Sequence, residues 1–215
     1  MPVAAVFSFV SGWLIRLTFM HSNHEDEIVN DSTQVKVWDP LVRIFHWTLV
    51  TAFAIAYATE DDLMTIHVYA GYTVMGLLAF RLIWGFVGPR YARFSDFVRS
   101  PREAISYLKD MVALRPKRYL GHNPAGGAMI VALLVSLLLT TLTGLAAYGI
   151  EGSGPLAAWL SGAGESAEDL LEEVHEFFAN FTLFLVFFHV SGVILGGIMH
   201  GENLVRAMFT GTKQA

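Results

Sequence analysis

Four histidines lie within or beside long apolar stretches of the chain: His46, His67, His175 and His189. A histidine inside a membrane span is costly and usually faces the interior of a helix bundle, so it is a functional candidate. Neutral imidazole is a good iron ligand, and two axial imidazoles leave a haem iron with no open position for oxygen. The chain contains no cysteine, which excludes thiolate ligands, disulfides and haem attached through Cys-x-x-Cys-His. Any haem here is therefore non-covalent.

The spacing of these histidines predicts two pairs at different depths. His175 and His189 are 14 residues apart, which on a helix places them within about 40° of the same face and about 21 Å apart. The stretches that carry His46 and His67 run in opposite directions, so His46 lies level with His189 and His67 with His175. Each pair has the composition of a bis-imidazole ligand set for haem iron. The alternative is four independent polar residues, each satisfied by its own hydrogen bonds.

The elements that carry these residues are predicted to be four transmembrane helices. Hydrophobic residues make up 54% of the chain and charged residues 15%, and the mean hydropathy is +0.49. The apolar runs are continuous, without the alternation of barrel strands, and about as long as the 17–25 residues that cross a bilayer. We expect an all-α integral membrane four-helix bundle over residues 35–215, with spans at about 41–59, 64–87, 125–150 and 174–199.

The charged residues predict the orientation of this bundle. The connection between the second and third spans, residues 88–124, contains eight basic residues: Arg90, Arg93, Arg99, Arg102, Lys109, Arg115, Lys117 and Arg118. By the positive-inside rule this connection, with a short surface helix at about 101–113, is cytoplasmic. The other two connections contain no Lys or Arg but several acidic residues: Glu60, Asp61, Asp62, Glu151, Glu165, Glu168, Asp169, Glu172 and Glu173. Both termini are therefore expected inside.

Residues 1–34 do not fit the pattern of a fifth span or a signal peptide. The apolar part is interrupted by Arg16 and has no basic start or small-residue cleavage site. A fifth span would also place Lys36 and Arg43 on the wrong side of the membrane. We expect an N-terminal extension that is interfacial or disordered.

Two arginines are candidate partners for haem propionates. Arg81 lies 14 residues after His67 and so points into the bundle at the inner level, and Arg43 lies one turn before His46. A guanidinium pairs strongly with a carboxylate; the alternative for both residues is snorkelling to lipid phosphates.

Other residues near the expected sites have weaker functional signals. Gly71, Gly144 and Gly192 would let a flat macrocycle lie against the backbone, or would serve helix packing. His122, in Gly-His-Asn-Pro, could contact a quinone, although a loop or capping role is favoured, and His200 is expected at the surface.

The motifs of the chain resemble those of the bacterial cytochrome b561 family, which includes the b-type subunits of nickel-iron hydrogenases. The resemblance covers about residues 35–209 and rests on these stretches: Val37-Trp-Asp-Pro-Leu-Val-Arg-Ile-Phe-His46-Trp, His67-Val-Tyr-Ala-Gly71-Tyr, Phe80-Arg-Leu-Ile-Trp-Gly-Phe-Val-Gly88, Tyr91-Ala-Arg-Phe, Gly121-His-Asn-Pro, and the paired His175 and His189. It implies a di-haem cytochrome of the bacterial inner membrane, with His46 and His189 holding the inner haem b and His67 and His175 the outer one.

The resemblance also implies a function: electron transfer between the quinone pool and a periplasmic redox partner, such as a c-type cytochrome or a hydrogenase. The alternative is a superoxide:quinone oxidoreductase of the same family. The carboxylates of the outer face, with Glu176, would repel superoxide and attract a basic docking face. A histidine-lined metal transporter is disfavoured because the spans offer mainly Ser, Thr and Gly between the histidines, and no nucleic-acid partner is expected.

Overall fold

A computed structural model describes residues 34–60 and 63–215. The predicted N-terminal extension, except Gln34, lies outside the described residues. Along the chain the elements are β1 Gln34–Lys36, α1 Pro40–Ala58, α2 Met64–Val87, a 3-10 turn Arg90–Ala92, α3 Phe94–Phe97, α4 Pro101–Val112, α5 Pro124–Ile150, α6 Ala157–Leu160, α7 Glu165–His200, α8 Leu204–Thr210 and β2 Thr212–Gln214.

Four of these helices, α1, α2, α5 and α7, are long and apolar enough to cross a membrane. This confirms the predicted all-α membrane bundle. Two of these four long helices, α1 and α5, begin with a side-chain cap followed by proline. Asp39 accepts hydrogen bonds from the backbone N–H groups of Leu41 and Val42, and Asn123 accepts one from Gly126. Such caps satisfy donors that have no partner within the helix.

The bundle packs through a narrow apolar interior. Helix α5 packs most extensively against α7, and α1 against α2. The interior cluster contains Ala52, Val74, Leu78 and Leu137. Many large apolar side chains of the four helices are exposed on the outside of the bundle, which is the arrangement expected where lipid replaces water as the solvent.

Helix α7 is longer than the span predicted at 174–199. It begins at Glu165 and contains 36 residues, a length of about 54 Å, against about 30 Å for the hydrocarbon core of a bilayer. Glu165 and Glu168 lie in its first turn, where negative charge is stabilised by the helix dipole. The overhang is polar, so apolar length did not predict it.

The bundle has two chemically different ends. At the acidic end α1 and α5 finish and α2 and α7 begin, and the connections there carry the carboxylates. At the basic end α1 and α5 begin and α2 and α7 finish. The connection from α2 to α5 lies at the basic end and contains α4, which starts with a capping box between Ser100 and Glu103. A helix in this position agrees with the surface helix predicted at 101–113.

A two-stranded sheet closes the basic end, and the sequence did not predict it. β1 and β2 pair antiparallel, with Gln34 opposite Gln214 and Lys36 opposite Thr212. Glu202 forms ion pairs with the α4–α5 connection and with β2. Its carboxylate lies 2.6 Å from Arg118 Nε and 3.0 Å from Lys213 Nζ. Hydrogen bonds and charge from these two cations outweigh burial, which alone would raise the pKa, and hold the pKa of Glu202 below its ordinary value.

Candidate functional site

The structure brings the four span histidines together in two pairs. The rings of His46 on α1 and His189 on α7 have centres 6.4 Å apart, and those of His67 on α2 and His175 on α7 have centres 5.9 Å apart. A metal–imidazole bond is about 2 Å long and a ring centre lies about 1 Å behind its nitrogen, so two imidazoles on one iron have centres about 6 Å apart. Both separations match that value.

Backbone carbonyls orient the two rings of the acidic-end pair. His67 Nδ1 lies 2.9 Å from the carbonyl oxygen of Ala56, and His175 Nδ1 lies 2.8 Å from that of Thr140. A ring that donates from Nδ1 has its lone pair on Nε2, which is the state of a histidine ready to bind a metal. This end therefore holds its imidazoles in a ligating tautomer through protein contacts alone.

The acidic-end pair borders a cavity of about 670 Å³, within the 300–1,000 Å³ usual for ligand sites. A Cβ atom built on Gly71, which lines this cavity, would meet nothing within 4 Å. A Cβ on Gly144 would lie 2.7 Å from His175 Cε1 and 2.8 Å from its Nδ1. Gly71 thus leaves open space for a flat group, whereas Gly144 makes room for the His175 ring.

Carboxylates line the mouth of this cavity: Glu60, Glu151, Asp169, Glu172, Glu173 and Glu176. Burial, and then the nearby charges of Glu172 and Glu168, raise the pKa of Glu151. The opening above the His67–His175 pair is therefore strongly negative.

The basic end contains buried polar atoms that have no hydrogen-bond partner among the described residues. All six such side-chain atoms in that part of the chain lie at this end: Arg43 Nε, His46 Nδ1, Trp47 Nε1, Arg81 Nη1, Trp84 Nε1 and His122 Nδ1. Four of them are obligatory donors, on arginine or tryptophan. Because an unsatisfied buried polar atom is costly, this end fits a group rich in acceptor oxygens.

The sequence profile of the family described as prokaryotic cytochrome b561 matches residues 37–211. The chain belongs to the prokaryotic cytochrome b561 family. Three proteins described as probable Ni/Fe-hydrogenase B-type cytochrome subunits are similar to it. That of Rhodobacter capsulatus is 27% identical, over 91% of this chain and 87% of its own. That of Rhizobium leguminosarum bv. viciae is 26% identical, over 83% and 88%, and that of Cupriavidus necator is 31% identical, over 81% and 85%. No solved structure matches the chain.

Family membership confirms the predicted resemblance. The chain is a multi-pass membrane cytochrome b, which implies haem b, electron transport and a redox protein as partner. The residues of this cytochrome fit that group at both ends. The acidic end offers two oriented imidazoles beside an open cavity, and the basic end offers two imidazoles beside unpartnered donors.

The two arginines predicted to meet propionates have different surroundings in this cytochrome. Arg81 is 4% exposed, and its Cζ atom lies 5.0 Å from the ring centre of Phe94 and 5.6 Å from that of Phe97. Arg43 donates from Nη1 to the carbonyl oxygen of Phe209 at 2.7 Å, which leaves its Nε without a partner in the described chain. Arg81 therefore has more unused donor capacity than Arg43.

His122 packs against aromatic rings and has a buried Nδ1 atom, contacts that a loop or capping role does not require. Its ring lies 4.5 Å from that of Trp38 and 4.9 Å from that of Phe97, measured between centres. Burial, and then the charges of Arg81, His189 and Lys213, lower the pKa of His122 to about 3. The Gly-His-Asn-Pro motif gave a partial signal for a role of His122. Asn123 alone forms the helix cap, so the cap does not account for the histidine.

Proposed function

We propose that this cytochrome binds two b haems and carries electrons across the bacterial inner membrane, between the quinone pool and a periplasmic redox protein. His46 and His189 would hold one haem, and His67 and His175 the other. The observation that best supports this is the pair of ring-centre separations, 6.4 Å and 5.9 Å, at opposite ends of the same helix. An iron with two imidazole ligands supplies one-electron transfer and keeps no position open for oxygen.

Two sites are needed because of the thickness of the membrane. His175 and His189 are separated by 14 residues of α7, or about 21 Å along the helix, while the hydrocarbon core is about 30 Å thick. One site alone would cover only part of that distance. The two histidine pairs together cover most of it.

The chain's own residues orient and charge-balance the two sites. The carbonyls of Ala56 and Thr140 fix the tautomers of His67 and His175, and such contacts raise ligand basicity. At the basic end Arg81 and Arg43 would pair with propionate carboxylates, since a guanidinium forms strong charge-assisted hydrogen bonds. These pairings would satisfy two of the unpartnered donors.

The charge of the two ends supports an orientation and a class of partner. The Lys- and Arg-rich connection between α2 and α5 favours the basic end as cytoplasmic. The carboxylates at the cavity mouth then face the periplasm, where they would steer a redox protein with a basic docking face. The names of the relatives favour a nickel-iron hydrogenase as that protein, with a c-type cytochrome as the second candidate.

Quinone is proposed as the second electron carrier because the described helices present their apolar faces to lipid, where quinones dissolve. Superoxide is disfavoured as a substrate, since the carboxylates at the cavity mouth repel an anion.

Haem quantitation and low-temperature spectra of four single variants test this function. The parent should hold two non-covalent b haems per chain, both six-coordinate and low-spin. His46→Ala and His189→Ala should deplete the same spectral component, and His67→Ala and His175→Ala the other. Electron transfer from quinol to an outer acceptor should fail in all four variants.

His200→Ala is the matched control, because His200 ends the same helix outside both pairs, and it should keep both haems. A total of one haem per chain would contradict the di-haem proposal. Loss of the same component from His46→Ala and His67→Ala would contradict the pairing. Oxidation of superoxide near the diffusion limit would replace the hydrogenase-type function by that of a superoxide:quinone oxidoreductase.

A further inference from the structure

His122 presents a buried, unpartnered nitrogen to the same end of the bundle as the two arginines. The residue as a whole is half-buried, and its Nδ1 atom is buried and has no hydrogen-bond partner in the described chain. The ring is held between Trp38 and Phe97. Three segments that are distant in sequence thus fix one imidazole nitrogen in place, which is unusual for a loop residue with no role beyond packing.

Phe97 links His122 to Arg81. The Arg81 guanidinium lies 5.6 Å from the Phe97 ring centre, and the His122 ring centre lies 4.9 Å from it. The charged or titratable groups acting on His122 are Arg81 on α2, His189 on α7 and Lys213 on β2. His122 therefore lies within electrostatic range of two cations and of His189, one member of the basic-end histidine pair.

The carboxylates on the surrounding segments already have other partners. Asp39 accepts from two backbone N–H groups at the start of α1, and Asp96 pairs with Arg90 at 3.3 Å. Glu202 is held by Arg118 and Lys213. A bound group with acceptor oxygens would satisfy His122 Nδ1 and Arg81 Nη1, and a carboxylate would also balance the charge of Arg81.

We propose that His122 donates a hydrogen bond from Nδ1 to a propionate carboxylate of the basic-end haem, in one cluster with Arg81 and Arg43. This inference rests on the proposed function, because it requires a haem between His46 and His189. Arg81 and Arg43 supply positive charge to the cluster, and His122 supplies a donor whose direction is fixed by Trp38 and Phe97. His122 is thus a positioning residue that also tunes the potential of this haem.

The direction of the effect follows from electrostatics. A donor that delocalises the negative charge of a carboxylate weakens the stabilisation that this charge gives to the oxidised iron. Removing the donor should therefore favour the oxidised state and lower the midpoint potential. The acidic-end haem lies about 21 Å away along α7, so its potential should not change.

The test is spectroelectrochemical redox titration of the purified holoprotein, in the parent and two His122 variants. His122→Phe keeps an aromatic ring between Trp38 and Phe97 but removes the donor, and His122→Asn keeps a donor near the position of Nδ1. In His122→Phe the one-electron equilibrium of the basic-end haem should shift about threefold to tenfold toward the oxidised state, as expected for the loss of one hydrogen bond. His122→Asn should return it toward the parent value.

Redox-difference infrared spectra give a second readout. The carboxylate bands of the propionates should shift in His122→Phe and stay near their parent positions in His122→Asn. His200→Leu is the control for removing a histidine from the basic end without touching the cluster. Loss of the basic-end haem from His122→Phe but not from His122→Asn would also support the hydrogen bond.

Three results would overturn the inference. Equal effects of His122→Phe and His122→Asn would reduce His122 to a packing residue. Unchanged potentials and infrared bands in His122→Phe would show that no propionate bond exists. A rise in the KM for quinol with both potentials unchanged would assign the donor to quinone. If the parent holds two haems with the proposed ligand pairs, each of these results contradicts only the role of His122. If the parent holds one haem, the proposed function itself is contradicted.

Discussion

The two ends of the bundle hold similar histidine pairs in opposite ways. At the acidic end both imidazoles are bonded through Nδ1 to backbone carbonyls beside an open cavity. At the basic end His46 Nδ1 and five other buried polar atoms have no partner within the described residues. The first site is organised by the chain itself. The second is organised only in part, and a bound group with acceptor oxygens would satisfy its polar atoms.

This difference teaches which end depends on the cofactor for its stability. A buried donor without an acceptor costs about 1–3 kcal/mol, so several of them make the haem-free basic end unstable. No buried side-chain polar atom at the acidic end lacks a hydrogen-bond partner in the described chain. We therefore expect the acidic end to be native-like without haem, and the basic end to become ordered as haem binds.

The largest expected effect comes from Gly144→Ala, which attacks the organised site. The new Cβ would lie 2.7–2.8 Å from the His175 ring, and the ring must move away from Thr140. Loss of such an orienting contact typically weakens metal binding 10- to 100-fold. Haem quantitation should show depletion of the acidic-end component alone. Gly76→Ala, whose Cβ would meet nothing within 4 Å, is the control, and equal loss in both variants would refute the orienting role.

Arg81→Leu should stabilise the haem-free protein and destabilise the haem-bound protein. In the haem-free protein it removes a buried, unpartnered guanidinium and should raise the melting temperature. In the holoprotein it would remove the proposed charge-assisted hydrogen bond to a propionate, which contributes about 1.5–3 kcal/mol, and should loosen the basic-end haem. Thermal melts of both forms measure this. Arg206→Leu, at an exposed residue of the same end, should change neither, and a stabilised holoprotein would argue against a propionate partner for Arg81.

Neutralising the cavity mouth should slow electron exchange with a basic redox partner. In a variant with Asp169, Glu172, Glu173 and Glu176 changed to amides, we expect about a tenfold lower association rate at low salt, since steering contributes 10- to 1,000-fold. The parent should approach the rate of the variant as salt rises, because the Debye length is only about 8 Å at 0.15 M. Stopped-flow kinetics against ionic strength measure this, and faster exchange in the variant would overturn the docking proposal.

The smallest effect is expected from Glu202→Gln at the sheet that closes the basic end. The folded pKa of Glu202 is lowered by Arg118 and Lys213 despite burial, so its contribution to stability is full above its unfolded pKa and is lost as pH falls through the folded pKa. We expect a cost of about 1–3 kcal/mol at pH 7 that disappears in acid. Melts between pH 7 and pH 3 would show it, and an equal cost at both pH values would exclude the ion pairs as its source.

The spans and the histidine pairs could be predicted because both follow from regular geometry. Apolar length marks a transmembrane helix, and the 14-residue interval between His175 and His189 is close to a whole number of helical turns. The overhang of α7 at Glu165–Glu173 could not be predicted in the same way, because hydropathy marks only the part of a helix that lipid covers.

Features that depend on contacts between distant segments were missed. The strands β1 and β2 have three residues each, too few for a periodic signal, and they pair across nearly the whole chain. The burial of His122 depends on Trp38 and Phe97, which its own motif does not contain. Gly144 was expected either to face a macrocycle or to serve helix packing, and in the structure a Cβ there would lie 2.7 Å from the His175 ring.

Helix α7 also sets the order of biogenesis. Each histidine pair takes one ring from α7 and the other from α1 or α2, so neither site has both rings until the last span has left the ribosome and entered the bilayer. β2, only 12 residues beyond the end of α7, closes against β1 later still. Truncated nascent chains that stop before α7 should therefore contain no complete histidine pair, and under the proposed ligation they would bind no haem at either site.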